Sequence, residues 1–121
     1  MTIFNWLLVG HLIGDWLFQN DWMAKGKKQG FFAIAGLTHF IIYTLAVMVC
    51  LWLAAGRQGY PVSKFVISAL IIFGSHWLID GTDVVKFWVK TFHQTDIPMV
   101  HMMVDQTFHV LVLVVITTLV F

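Results

Sequence analysis

The chain has 121 residues, 60% of them hydrophobic and only 11% charged, and its formal net charge is +1. That length holds one domain, and those charges are too few to coat a water-soluble globule, since ordinary domains are only about half apolar. The near-neutral balance excludes an electrostatic nucleic-acid binder, and the single cysteine, Cys50, excludes an internal disulfide or a CxxC metal or redox motif.

The apolar residues gather into four stretches, about 2–19, 31–55, 62–80 and 99–121. A helix needs about 20 residues to cross hydrocarbon. The pattern therefore predicts an all-α, integral membrane four-helix bundle in one domain, residues 1–121. The first stretch lacks the basic start and cleavage signal of a leader peptide and is expected to be a retained helix. It carries Gly10-x3-Gly14, read as a small-residue packing seam, together with His11, Asp15 and Gln19.

The first connection holds Lys25, Lys27 and Lys28, expected to anchor at anionic headgroups. The second span carries His39 and, one turn on, Tyr43, read as packed interior. Gly56, Gly59 and Pro61 punctuate the next turn. The third span ends in His76 and Asp80. Beyond it, Val84, Val85, Trp88, Val89 and Phe92 form an apolar stripe opposite Lys86 and Lys90, which predicts a short amphipathic helix in the membrane interface. The fourth span carries His101, Asp105 and His109. Loop charge sets the orientation: Lys25, Lys27, Lys28, Lys86 and Lys90 lie on one side against Arg57 and Lys64 on the other, which places both termini outside.

Ionisable groups within spans carry the chemical signal. Residues three or four apart share a helix face, so His11 and Asp15, His76 and Asp80, and Asp105 and His109 form stripes. Helices one and three run inward and helix four outward, so every aspartate falls about 6 Å nearer the cytoplasm than its histidine, at about 1.5 Å per residue. His39 reaches the histidine level. The expectation is a layer of His11, His39, His76 and His109 over a layer of Asp15, Asp80 and Asp105. Each charged group at a helix centre costs about 2.5–3.5 kcal/mol, and the one lysine or arginine within the spans, Lys64, stands at the far start of the third and cannot offset it. Imidazole with carboxylate suits a divalent transition metal, zinc first, with manganese or iron accepting the same donors. All seven residues are candidate metal ligands, and Asp15, Asp80 and Asp105 are the candidate catalytic groups, as ligand or general base. The competing reading is a polar network that only fixes helix packing.

The stretch from His11 through Gly14, Asp15, Gln19, Asp21, Trp22 and Lys25, with His39, His76-x3-Asp80 and Asp105-Gln106-x2-His109, resembles domain-of-unknown-function family 3307 (DUF3307). The resemblance implies a small multi-pass protein of the bacterial inner (cytoplasmic) membrane or of phage origin, and implies no activity. A fainter similarity, in histidine-rich membrane helices alone, is to bacterial inner-membrane proteins labelled metal-dependent hydrolases. Three functions follow as expectations. The first is a metal-dependent hydrolase acting on a lipid-linked or amphiphilic substrate. The second is a cation, proton or metal transporter, and the third a phage-derived interaction protein with a structural metal or polar network. Almost wholly apolar helices beyond the histidines favour a one-sided pocket over a pore. The lipid bilayer is the expected partner and no nucleic acid is; a second copy of the chain stays open.

Overall fold

A computed structural model describes residues 1–30 and 32–121. Among them the secondary structure is entirely helical. Helix α1, Ile3–Leu12, continues through a π turn at Ile13–Leu17. A short α2 follows at Asp21–Gly26, then α3 at Ile34–Ala55, α4 at Val62–Gly81, α5 at Val84–Thr91, and α6 at Pro98–Val115 with a terminal π turn at Ile116–Val120.

The boundaries have local causes. Thr2 caps α1 by accepting from the Asn5 amide, and Asn20 caps α2 by accepting from the Met23 amide. Pro61 precedes α4 and Pro98 opens α6, where a missing N–H costs nothing. Gly59, at φ 74°, makes the turn before α4. The expected second span began at residue 31; Phe31 lies outside the described residues, and the helix starts at Ile34.

Three helices, Ile34–Ala55, Val62–Gly81 and Pro98–Val120, are long and apolar enough to cross a membrane; the first apolar helix, Ile3–Leu17, is shorter. The long helices alternate in direction. Around the bundle α1 packs on α3, α3 on α4, α4 on α6, and α6 returns to α1. The Gly10–Gly14 seam explains the first contact: a Cβ on Gly10 would stand 2.7 Å from the Val47 Cα, and one on Gly14 2.9 Å from the Tyr43 Cα.

One half of the bundle is an apolar core of Leu7, Val47, Leu51, Ile72, Leu113 and Ile116. At about 1.5–3 kcal/mol for each fully buried side chain, that half supplies much of the packing energy. The other half is polar. Helix α5 docks Val85 and Val89 on Val100, Val104 and Phe108, while Lys86 and Lys90 face outward, as its stripe predicts.

Candidate metal centre

Each long helix, and the shorter first one, sends polar side chains into the half nearest the lysine-bearing connections. His11, Asp15, His39, His76, Asp80 and His109 are all buried, with 0–5% of their surface exposed, and the Asp105 side chain keeps 22%. Asp15 sits within the π turn, where the helix widens and turns its carboxylate toward α3 and α4. His39 lies in the second turn of α3. His76 and Asp80 share the inner face of α4, and Asp105 and His109 that of α6, each pair one turn apart.

Four donor atoms converge. His76 Nε2 and His39 Nε2 are 2.8 Å apart. His39 Nε2 lies 3.4 Å from Asp15 Oδ1 and 3.5 Å from Asp80 Oδ2, and His76 Nε2 lies 3.9 and 3.6 Å from the same oxygens. Asp15 Oδ1 makes no hydrogen bond despite being buried. Three of these separations, 3.4, 3.5 and 3.6 Å, match the edges of a coordination tetrahedron, while the 2.8 Å His39–His76 distance is shorter and the 3.9 Å His76–Asp15 distance longer. With bonds of about 2.0–2.2 Å to nitrogen and oxygen, those edges run about 3.3–3.6 Å. The four residues can therefore hold a metal ion. The outer nitrogens, His39 Nδ1 and His76 Nδ1, are buried without hydrogen bonds. Packing orients the His76 ring instead, which stacks on Tyr43 at 3.6 Å and 8°.

Other expected residues take different places. His11 is in the wall of the cluster, its ring 5.4 Å from that of His109. Its Nε2 donates to Gln106 Oε1 at 2.9 Å, which leaves Nδ1 to accept from the Tyr43 hydroxyl at 3.0 Å. Both ring nitrogens are thereby engaged. His109 Nε2 donates to Asp80 Oδ1 at 2.9 Å and is 3.7 Å from Asp105 Oδ2. His101 turns to Asp96, at 2.6 Å, away from the cluster.

Two participants were not foreseen. Lys27, expected at headgroups, folds inward, and its ammonium donates to Asp80 Oδ2 at 2.6 Å and to Gln19 Oε1 at 3.2 Å. Burial opposes the charge on Lys27, but the Asp80 carboxylate outweighs it and holds the lysine pKa above its usual value. The carboxylates thus have one basic partner, delivered from a connection rather than a span. Gln106 donates to Asp15 Oδ2 and Asp105 Oδ2, both at 3.0 Å, while its carbonyl oxygen accepts from His11 and Trp16. Its place next to Asp105 in the fourth-span motif was the available signal.

Two clefts reach the cluster from the lysine-bearing end. One, of about 340 Å³, is lined by Asp15, Trp16, Gln19, Lys27, Asp105 and Gln106. The other, of about 260 Å³, is lined by Lys27, Lys28, Asp80, Lys86, His101 and Asp105. In the opposite direction the path ends at the apolar core. The arrangement can bind a cation, exchange protons between imidazole and carboxylate, and meet a polar molecule from one side.

No curated protein and no solved structure matches the chain. Residues 3–121 match the family described as Protein of unknown function (DUF3307), and by that match, over essentially its whole length, the chain belongs to the family.

Proposed function

We propose that the protein is a membrane metalloprotein, a four-helix bundle holding a divalent transition metal at Asp15, His39, His76 and Asp80. The single observation that carries this reading is the convergence of their four buried donor atoms, all within 4.8 Å of one another. Charge supports it. Asp15, Asp80 and Asp105 bring three negative charges and Lys27 returns one, so a divalent cation cancels what remains; unpaired charge in such surroundings costs several kcal/mol. Zinc suits a compact set of two nitrogens and two oxygens best, while manganese and iron accept the same donors.

The activity we infer is hydrolysis of a lipid-linked or amphiphilic molecule. When bound, the ion would supply fixed positive charge at the inner end of the clefts, where negative charge develops on a reactant. Asp105, partly exposed at the cleft wall, is the residue placed to accept a proton from a reactant there, and Asp15 and Asp80 act as ligands. One-sided access supports an enzyme pocket over a transporter, because Leu7, Val47, Leu51, Ile72 and Leu113 close the route through the bundle.

Metal analysis of the detergent-purified protein tests the reading. The wild type should carry zinc after incubation and gain thermal stability from it, since a ligand bound only to the folded state stabilises that state. H39A and H76A should lose most of the ion and the zinc-dependent rise in Tm. A wild type that takes up no divalent metal would reduce the cluster to a packing network.

A further inference from the structure

The four-atom set leaves part of the cluster unused. Asp15, Asp105 and His109 form a second set whose ligand atoms also lie within 4.8 Å of one another. Asp15 belongs to both, and its two oxygens look in different directions. Oδ1, which makes no hydrogen bond, faces His39 and His76; Oδ2 accepts from Gln106, whose amide reaches Asp105 Oδ2 at the same 3.0 Å. Asp80 is divided likewise, with Oδ2 toward His39, His76 and Lys27 and Oδ1 toward His109. Carboxylates whose oxygens address separate donor sets are suited to bridge ions about 3.5–4 Å apart, the spacing of two-metal sites.

The two sets also differ in access. All four residues of the first are buried, with Asp15 and Asp80 each reaching one cleft, whereas Asp105 in the second is partly exposed and lines both. Structural ions sit in closed sets of four protein ligands; working ions keep three and an open position.

We infer that the centre is built for two cations. The first is closed within Asp15, His39, His76 and Asp80. The second lies on Asp15, Asp105 and His109, with Asp105 then a ligand rather than the proton acceptor; it is joined to the first through the Asp15 carboxylate and presents its open position to the larger cleft. This rests on the metal reading above. Because the first divalent ion already balances the cluster, the second binds after it and more weakly.

Manganese(II) titration of the metal-free, detergent-solubilised protein, read by bound equivalents and by electron paramagnetic resonance, decides the matter. The wild type should bind two ions per chain and give the signal of a spin-coupled pair. D105N, which preserves side-chain shape and the contact with Gln106, should bind half as much and show the six-line signal of an isolated ion. One uncoupled ion in the wild type overturns the second site and leaves the four-ligand site standing. No bound ion overturns both. A coupled pair that persists in D105N removes Asp105 from the site.

Discussion

Lys27 shows how much a single side chain settles that its sequence context hides. In the chain it belongs to a run of three lysines beside an apolar stretch, and such runs anchor at headgroups. Its partner, Asp80, is 53 positions away, so nothing local announces the pair. Gln106 was equally quiet, being uncharged; three of its four hydrogen bonds, to His11, Asp15 and Trp16, exist only once α1 and α6 are side by side. The histidines and aspartates were legible for the opposite reason, since ionisable groups in apolar stretches demand compensation. Removing the ammonium from a buried partner costs about 3–5 kcal/mol, so K27M should lower unfolding stability by about 3 kcal/mol at neutral pH. The pH dependence has a definite sign. With the folded pKa above the unfolded value of about 10.4, the contribution is complete below that value and fades as pH rises through the folded one. The stability gap between wild type and K27M should therefore narrow as the pH rises beyond the range of an ordinary lysine. A gap unchanged across that range would place the effect of Lys27 elsewhere than in its charge.

Among the elements, the α1–α3 contact is tightly constrained, because two glycines leave no room for a side chain against the facing backbone. G10A should destabilise the protein by about 1–3 kcal/mol through overpacking. G74A, on α4, meets nothing within 4 Å and should be neutral or stabilising by up to about 1 kcal/mol from helix propensity. Thermal unfolding of the two variants checks this; equal losses would deny the seam its role. The long helices and α5 were readable from apolar periodicity. Two elements were not. Helix α2 carried a usable mark in its Asn20 cap, but six residues are too few for periodicity to declare a helix. The π turn at Ile13–Leu17 has no compositional signature; it arises where Gly14 closes on Tyr43 and Asp15 is drawn into the cluster. Such turns often mark functional positions.

At the scale of the whole molecule, the polar half and five of the seven basic residues share one end. We propose, from the positive-inside bias, that this end faces the cytoplasm. With Cys50 replaced by alanine, Q58C should react with an impermeant maleimide on intact cells and Q29C should not; the reverse pattern would invert the protein. Helix α1 with its π turn adds a consequence for the surrounding lipid. Its 15 residues reach about 22 Å at 1.5 Å per residue, against about 30 Å of hydrocarbon. Three helices are long enough to cross such a bilayer, whereas this one, on its side of the bundle, is shorter and ends in exposed Trp16 and Leu17, followed by exposed Phe18 and Trp22. Lipids facing that side must shorten or tilt, at a fraction of a kcal/mol per ångström of hydrophobic mismatch. Under the proposed membrane placement, the bilayer would thin asymmetrically around the protein, on the flank of the short helix that carries Asp15.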